Sequence, residues 1–266
     1  MNYSTIKEIV TKANCALELK RKIVGVKFLH SEEEFNSAEA LPLKSRITYC
    51  VLVKSAMFGH SLKAKLDNFA CLSAARALGI IEPDERWLSG CQYRDKNMYQ
   101  DLATSKKVVN NTTNIKQKAY GVMVRPLEEY PLAPDIVIMV SNPYNIMRLI
   151  QGYTYTYGTY KNFKVIGNQA LCSECTAYPF ESNDINISTL CAGTRYMAGW
   201  DKEEMALGIP FNKFVGMIEG LYDTINIMEP NKDKVIIEEK LKKAGRNDLT
   251  IEYDKNYYTG AYLKGR

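Results

Sequence analysis

The residues of this sequence best suited to chemistry are its cysteines. The chain has seven of them and two histidines. Two thiolates three residues apart, as in Cys172-Ser-Glu-Cys175, can share one metal ion or exchange a disulfide. Because histidine is so scarce, metal or redox chemistry would depend on sulfur and carboxylate groups, and a histidine-based catalytic triad is disfavoured.

Four of the cysteines form two pairs with similar spacing. Cys71 follows Cys50, and Cys191 follows Cys172, after about twenty residues in each case. Small residues surround the second cysteine of each pair. This echo suggests a diverged internal duplication that places two cysteine pairs around a pseudo-twofold axis. The alternative is chance, because seven cysteines form many pairs.

The cysteines have three possible interpretations: a zinc site, an iron–sulfur cluster or core packing. A structural zinc site would need a second close pair besides Cys172 and Cys175, and the sequence has none. An iron–sulfur cluster needs three or four thiolates at one site and tolerates long spacings when the fold brings them together. Free cysteine is also a good small core residue, so some of the seven could be packing alone.

Three alternating tyrosines form a second candidate site. Tyr153, Tyr155 and Tyr157 would share one face if their segment were a strand. Such a face could bind a flat cofactor or ligand through aromatic contacts. The alternative is a half-buried structural face.

Composition and missing motifs exclude several classes of function. The net charge of +5 is scattered through mixed-charge runs, which favours solvated helix faces over nucleic-acid binding. No P-loop, dinucleotide fingerprint, zincin motif or serine-hydrolase elbow is present. No apolar run approaches the roughly 20 residues of a membrane span. An odd cysteine count and an N-terminus unlike a signal peptide predict a cytoplasmic protein.

Hydrophobic patterning predicts one compact α+β domain over residues 1–266, with a mixed sheet and flanking helices. The predicted strands are Ile23–Leu29, Ile47–Val53, Tyr120–Arg125, Asp135–Val140 and Leu249–Tyr253, with a short one after Val165. The predicted helices are Ser4–Lys22, Leu66–Leu78, Asn97–Val109, Tyr144–Gly152, a helix ending near Tyr178, Asn212–Ile225 and Lys232–Ala244.

A series of short motifs recurs in a fixed order along most of the chain. They are Gly25-Val-Lys-Phe-Leu29, Cys50 with Lys54-Ser-Ala56, Cys71 with Ala77-Leu-Gly79, Pro134-Asp-Ile-Val137, Asn142-Pro143, Gly167-Asn-Gln-Ala-Leu-Cys172-Ser-Glu174, Cys191-Ala-Gly193-Thr-Arg195 and Gly208-Ile-Pro210. In this order the chain resembles the family called domain of unknown function 169, common in methanogenic archaea and clostridia. The resemblance covers a core of about residues 23–225 and leaves a C-terminal extension over 226–266.

Two motifs depart from the family pattern. Cys71-Leu-Ser-Ala74 lacks the two glycines of the usual C-x-G-G, which puts a close backbone approach near Cys71 in doubt. In the second motif, usually A-C-x-E-A, Leu171 precedes the cysteine and Cys175 replaces the last alanine. This second departure could add a sulfur ligand.

The resemblance implies a cytoplasmic protein, often of anaerobes, whose typical cysteines correspond to Cys50, Cys71, Cys172 and Cys191. Our first hypothesis is a redox protein or enzyme in which these four residues bind an iron–sulfur cluster or form another metal site. Glu174 would then be a proton donor or acceptor and Arg195 an anion clamp. The alternative for Glu174 and Arg195 is a surface ion pair or a helix cap.

Two hypotheses from other classes remain open. One is a non-catalytic protein that binds a small molecule, with the cysteines as core packing. The other is a metal-free thiol enzyme with Cys172 or Cys191 as the nucleophile. The sequence leaves the small-molecule substrate, the electron donor and the oligomeric state open.

Overall fold

The centre of the molecule is a seven-stranded sheet, described by a computed structural model that covers residues 3–247 and 249–254. The strands lie in the order β2-β3-β4-β1-β5-β7-β6. They are β1 Val24–Leu29, β2 Leu41–Pro42, β3 Leu62–Lys65, β4 Gly121–Pro126, β5 Ile136–Ser141, β6 Asn186–Ser188 and β7 Met205–Pro210. Only the β2–β3 pair is parallel among these strands, so the sheet is mixed.

Helices cover both faces of the sheet, and the four central strands are therefore buried almost throughout. The helices are α1 Tyr3–Ala16, α2 Glu32–Ser37, α3 Tyr49–Met57, α4 Leu72–Ala77, α5 Glu85–Leu88, α6 Cys91–Arg94, α7 Leu102–Asn111, α8 Pro143–Tyr157, a π-helix at Ala170–Ala177, α9 Tyr178–Ser182, α10 Ala192–Ala198, α11 Phe211–Asp223, α12 Ile225–Met228 and α13 Asn231–Lys243. Short 3-10 turns lie at Leu66–Asn68 and Leu127–Glu129.

Each face of the sheet has its own hydrophobic core. Buried side chains of α1, α8, α11 and α13 form one core. The strand residues that point to this face, such as Val137 and Leu207, belong to the same core. The other core joins α3, α4 and the π-helix to the alternate strand residues, such as Val26 and Ile138. We call this second face the cysteine face, because Cys50, Cys71, Cys172, Cys175 and Cys191 all lie there. The predicted α+β class and single compact domain are confirmed, while the division into a core and an extension stays a prediction.

Three of the predicted strands are confirmed at the centre of the sheet, as β1, β4 and β5. The predicted strand Ile47–Val53 is wrong, because helix α3 begins at Tyr49. The Thr48 hydroxyl accepts a hydrogen bond from the Val51 N–H at 3.3 Å and caps the helix. Packing of this segment on the sheet then outweighs the β propensity of its valines and isoleucine.

Other boundaries also differ from the predictions. The predicted helix Leu66–Leu78 divides into a 3-10 turn and α4, and Gly79 ends α4 with φ +70, as a C′ glycine does. The short strand predicted after Val165 is absent there, and the chain enters the π-helix instead. Residues 249–253, predicted to form a strand, have no strand pairing in the structure.

In the part of the chain that the structure describes, no helix is both long enough and apolar enough to cross a membrane.

Candidate cysteine site

The four cysteines singled out by the sequence lie at the starts of four helical segments on the cysteine face. Cys50 is the second residue of α3, and Cys172 is the third residue of the π-helix. Cys71 and Cys191 directly precede α4 and α10 and occupy their N-cap positions. The first turn of a helix leaves backbone N–H groups without intrahelical partners, so sulfur atoms placed there have donors nearby.

Thr194, on α10, connects two of these cysteines. Its hydroxyl oxygen lies 3.0 Å from the Cys50 sulfur and 3.1 Å from the Cys191 sulfur. Its backbone N–H also donates to the Cys191 sulfur at 3.4 Å. Thr194 is buried, so these contacts are shielded from water. Sulfur atoms 141 positions apart in the chain therefore meet around one hydroxyl group.

Burial and neighbouring cysteines shift the pKa values of two of the four thiols, Cys50 and Cys172. Burial raises the pKa of Cys50 to about 12; the hydrogen bond from Thr194 opposes this shift, and negative charge on Cys191 and Cys71 adds to it. Burial also raises the pKa of Cys172 well above its ordinary value, and Cys50, Cys71 and Cys191 raise it further. Cys50 and Cys172 are therefore neutral thiols at neutral pH unless a cation compensates their charge. This protonation weighs against Cys172 as a metal-free nucleophile.

The four sulfurs are neighbours without forming a metal cage. Within residues 3–247 and 249–254, no group of three or more His, Cys, Asp or Glu side chains is arranged to hold a metal ion. In the same described residues, the seven cysteines form no disulfide. The structure thus brings the sulfurs into electrostatic reach of one another, and a metal centre would need a further rearrangement of their side chains.

The backbone around the two later cysteines has unusual conformations. Gln169, which precedes the π-helix, and Leu190, which precedes Cys191, have φ values of 53 and 62. Residues other than glycine rarely adopt this left-handed region, and such strain tends to persist at functional sites. The π-helix that carries Cys172 is itself a rare form that often marks such sites.

Glu174 lies inside the π-helix, and both of its carboxylate oxygens accept hydrogen bonds. One oxygen accepts hydrogen bonds from the N–H groups of Ile166 and Gly167 at 2.5 and 2.9 Å, and the other accepts one from the Ser188 hydroxyl. Burial raises the pKa of this carboxyl, and these donors partly oppose the shift. The contacts position the loop before the π-helix and strand β6. A role in proton transfer stays a prediction.

Arg195 lies on α10, where it donates to backbone oxygens. Its guanidinium donates to the carbonyl groups of Thr189 and Glu204, both at 2.9 Å, and to that of Asp201. These bonds hold together the segments on either side of α10. The predicted anion clamp would require some of these donors to turn away from the carbonyl groups, and it stays a prediction.

The three tyrosines do not form the predicted strand face. They belong to α8, whose apolar spacing overrides the apparent alternation, so residues two apart point to different sides of the helix. Tyr153 is buried and donates to Asp184, and its ring lies 5.1 Å from the ring of Tyr157. Tyr155 is largely exposed. Because α8 covers the sheet face opposite the cysteines, these tyrosines do not join the cysteine site. Their role as cofactor-binding residues stays a prediction.

The sequence reasoning missed two features of the site. The first is Thr194, which stands three residues after Cys191, the position from which a residue contacts the N-cap side chain. The second is a cleft of about 1000 Å³ beside Cys71, lined also by Arg76, Asp84 and Met197 among others. Arg76 is nearly buried and donates to Asp84. All of the lining residues except Met197 lie within residues 70–96, and that stretch contains no motif that marks a binding site.

The chain belongs to the DUF169 family, described as uncharacterised ArCR, and the sequence model of that family matches residues 13–220. The chain is also similar to an uncharacterized protein of Methanocaldococcus jannaschii. The two are 26% identical over 224 residues, which cover 83% of this chain and 95% of the archaeal protein. No solved structure matches the chain. The family suggested by the order of the short motifs is thereby confirmed.

Proposed function

We propose that this protein is a redox protein whose Cys50, Cys71, Cys172 and Cys191 bind an iron–sulfur cluster. One observation carries the proposal: four cysteines from distant parts of the sequence lie at the starts of four helical segments on one sheet face. A cluster held by four thiolates uses this set of ligands, and when bound it supplies electron transfer.

The burial of the sulfurs and their closeness to one another favour the binding of a soft metal cation over four separate thiols. Cys50 and Cys172 lie in a low-dielectric environment in which their charged forms repel one another. Iron compensates the negative charge of thiolates, so a bound cluster would stabilise neighbouring thiolates that otherwise repel one another. Thr194 offers hydrogen-bond donors to two of the sulfurs, which is a common way of supporting cluster ligands.

The remaining residues take secondary parts in this proposal. Glu174 follows Cys172 by two residues and is a buried carboxyl that could exchange a proton when the cluster changes charge. Arg195 would bind an anionic group beside α10 after releasing a carbonyl contact. A cytoplasmic location suits seven cysteines without disulfides in the described residues.

Purification without oxygen tests the proposal directly. We expect iron and acid-labile sulfide in a fixed ratio to protein, with a broad absorption band in the violet to blue. Zinc in place of iron, or a colourless protein that contains neither metal nor sulfide, would contradict it. The metal-free outcome would be followed by thiol alkylation, since a rapidly reacting Cys172 or Cys191 would favour the thiol-enzyme hypothesis.

The cleft beside Cys71 supports a second candidate, a small-molecule-binding protein. Its wall contains the buried guanidinium of Arg76, whose Nε and Nη1 groups have no hydrogen-bond partner among the described residues. Buried donors of this kind favour an anionic ligand. Thermal-shift measurements with a panel of small carboxylates, compared between the wild type and Arg76→Met, would test this candidate independently of any metal. Equal shifts in both proteins would reject it.

A further inference from the structure

We infer that the cleft beside Cys71 binds a carboxylate that has a single negative charge and an apolar body, with Arg76 as its anchor. This assignment rests on the second candidate function, whose ligand class it narrows, and it requires no metal at the cysteines. The cleft has a volume of about 1000 Å³, which is enough for a small organic molecule. Its lining combines a buried cation, exposed apolar side chains and a charged rim, and each of these parts restricts the ligand.

The buried cation supplies the anchor. Arg76 is only 5% exposed, and its Nη2 group donates to the Asp84 carboxylate. Its Nε and Nη1 atoms have no hydrogen-bond partner within residues 3–247 and 249–254. Because buried polar groups are nearly always hydrogen-bonded, these two donors indicate a missing acceptor. A carboxylate is a suitable acceptor, since its hydrogen bonds with a guanidinium are charge-assisted and often bidentate.

The charge around Arg76 restricts the number of negative charges on the ligand. Asp84 already neutralises the guanidinium, so the pair carries no net charge before a ligand binds. A carboxylate adds one negative charge beside Asp84, whereas a phosphate monoester adds nearly two. At the rim, Arg86 pairs with Asp95 at 2.9 Å, and both residues are exposed, so water and salt screen their charges. The cleft therefore favours a monoanion over a phosphorylated compound.

The apolar part of the lining indicates the body of the ligand. Leu72, on α4, and Met197, on α10, line the cleft and are 45% and 58% exposed. A hydrocarbon body placed against them would remove apolar surface from water, and each fully buried methylene group tightens binding by about fourfold. We therefore expect affinity to rise with chain length along a series of straight-chain carboxylates.

The experiment compares dissociation constants, measured by isothermal titration calorimetry, for acetate, hexanoate, hexanamide and hexyl phosphate. We expect hexanoate to bind more tightly than the other three compounds. Arg76→Met should weaken hexanoate binding by about tenfold or more, because the charge-assisted hydrogen bonds are lost. Arg86→Met is the matched control, since it removes an exposed cation from the rim of the same cleft, and it should leave the affinity nearly unchanged.

A second variant tests the charge argument through a gain of affinity, which misfolding cannot imitate. The Asp84 carboxylate accepts a hydrogen bond from the Trp87 N–H at 2.9 Å and caps α5. Asparagine is an equally good cap, but it lacks the charge that competes with a ligand for Arg76. Asp84→Asn should therefore bind hexanoate more tightly than the wild type, and its gain for the more highly charged hexyl phosphate should be larger.

The outcomes separate this inference from the proposed functions. If no compound binds, or if binding is equal in the wild type and Arg76→Met, the inference and the second candidate function both fail. Binding of hexyl phosphate that depends on Arg76, with weaker binding of hexanoate, would overturn the inference alone. Equal affinities for acetate and hexanoate would also overturn it, because the apolar walls would then contribute nothing. Iron content, which tests the cluster, enters none of these comparisons.

Discussion

The sheet has two halves that repeat one strand order on either side of its centre. Outward from the middle, β1, β4 and β3 follow one another on one side, and β5, β7 and β6 on the other. The central pair is antiparallel, with Gly25 opposite Val137. Within each half the neighbouring pairs are antiparallel too, apart from the parallel pair of β2 and β3 at the edge of the first half. This repeated order is what an internal duplication predicts, although the duplication itself stays a prediction.

The two halves also place their cysteines alike. Cys50 and Cys172 lie in the first turn of the helix that covers their own half of the sheet. Cys71 and Cys191 lie at the N-caps of the short helices that follow β3 and β6. Each half thus contributes one early helix residue and one cap residue to the candidate site.

The halves differ in what surrounds those cysteines. Two residues after its helix cysteine, the first half has buried Leu52 where the second has Glu174. Three residues after its cap cysteine, the first half has Ala74 where the second has Thr194. The comparison teaches that the first half supplies packing to the site, whereas the second half supplies its hydrogen-bond donors and its acid.

The largest expected effect is the loss of metal when either half loses a cysteine. Serine keeps the size of cysteine but replaces the thiolate by a hydroxyl, which is a poor ligand at neutral pH. We therefore expect Cys172→Ser and Cys191→Ser to abolish iron content in the protein purified without oxygen. Cys50→Ser, from the first half, should do the same if both halves contribute ligands.

The matched control for these variants is Cys15→Ser. Cys15 is buried in α1, in the core on the opposite face of the sheet. Its replacement buries a hydroxyl where the less polar thiol lay, so it should cost about 1–3 kcal/mol and leave iron content unchanged. Equal iron content in Cys172→Ser and Cys15→Ser would reject the cysteine site. Loss of iron in the second-half variants alone would show that the two halves are not equivalent.

The next effect concerns how closely each half lets its helix approach the sheet. Val124 of β4 lies opposite Val26 of β1, and Gly208 of β7 lies opposite Ile138 of β5. If the two halves are superimposed, Val124 and Gly208 occupy the same position in the sheet. A methyl group at Gly208 would lie 2.0 Å from the Cys175 carbonyl oxygen, so the π-helix backbone needs a glycine there. Gly208→Ala should lower the free energy of unfolding by roughly 3 kcal/mol or more. Urea unfolding measures this loss.

Gly193→Ala is the control for the glycine effect. It lies on α10 in the same half, and an added methyl group there meets no atom within 4 Å. We expect this variant to remain within about 1 kcal/mol of the wild type, on the stabilising side, because alanine restricts the unfolded chain. If Gly208→Ala were as stable as Gly193→Ala, close packing of the π-helix would not depend on the glycine.

The sequence predicted correctly those strands that are buried on both faces of the sheet. The central strands β1, β4 and β5 are short apolar runs bounded by glycine, proline or polar residues, and a strand buried on both faces has this pattern. The segment of α3 and the last part of α8, from Tyr153 onward, were misjudged because β-branched and aromatic residues favour strands locally. The cap at Thr48, with its side-chain hydrogen bond, decides the first segment in favour of helix. The second segment continues the helix that begins at the Asn142 cap.

The cysteine residues of the candidate site were predictable from the sequence, but their surroundings were not. The choice of four cysteines came from their spacing and from the resemblance, and the structure places all four on one face. The π-helix and the left-handed Leu190 have no pattern in the sequence, because both depend on how distant segments pack. The contact of Thr194 with Cys50 joins residues far apart in the chain, so no local motif could show it.

The smallest expected effect concerns the acid that distinguishes the halves. Glu174 has its pKa raised by burial, so the folded state holds its proton at pH values where the unfolded chain has released it. Stability should therefore fall as the pH rises from the ordinary glutamate pKa of 4.5 through the raised value in the folded protein, and should then level off. Glu174→Gln cannot ionise and should lack this fall, which makes it the more stable protein near neutral pH, by a difference on the order of 1 kcal/mol.

Urea unfolding of the wild type and Glu174→Gln from pH 4 to pH 8 measures this difference. The amide suits the site, because its oxygen can accept from the Ile166 and Gly167 N–H groups while its nitrogen donates to the Ser188 hydroxyl. Glu82→Gln, at an exposed position, corrects for the general effect of removing a carboxylate. If Glu174→Gln were destabilised equally at every pH, the charged carboxylate itself would be required by its three donors. Glu174 would then be a structural anchor of the second half, comparable with Leu52 in the first, and the proposed proton transfer would lose its support.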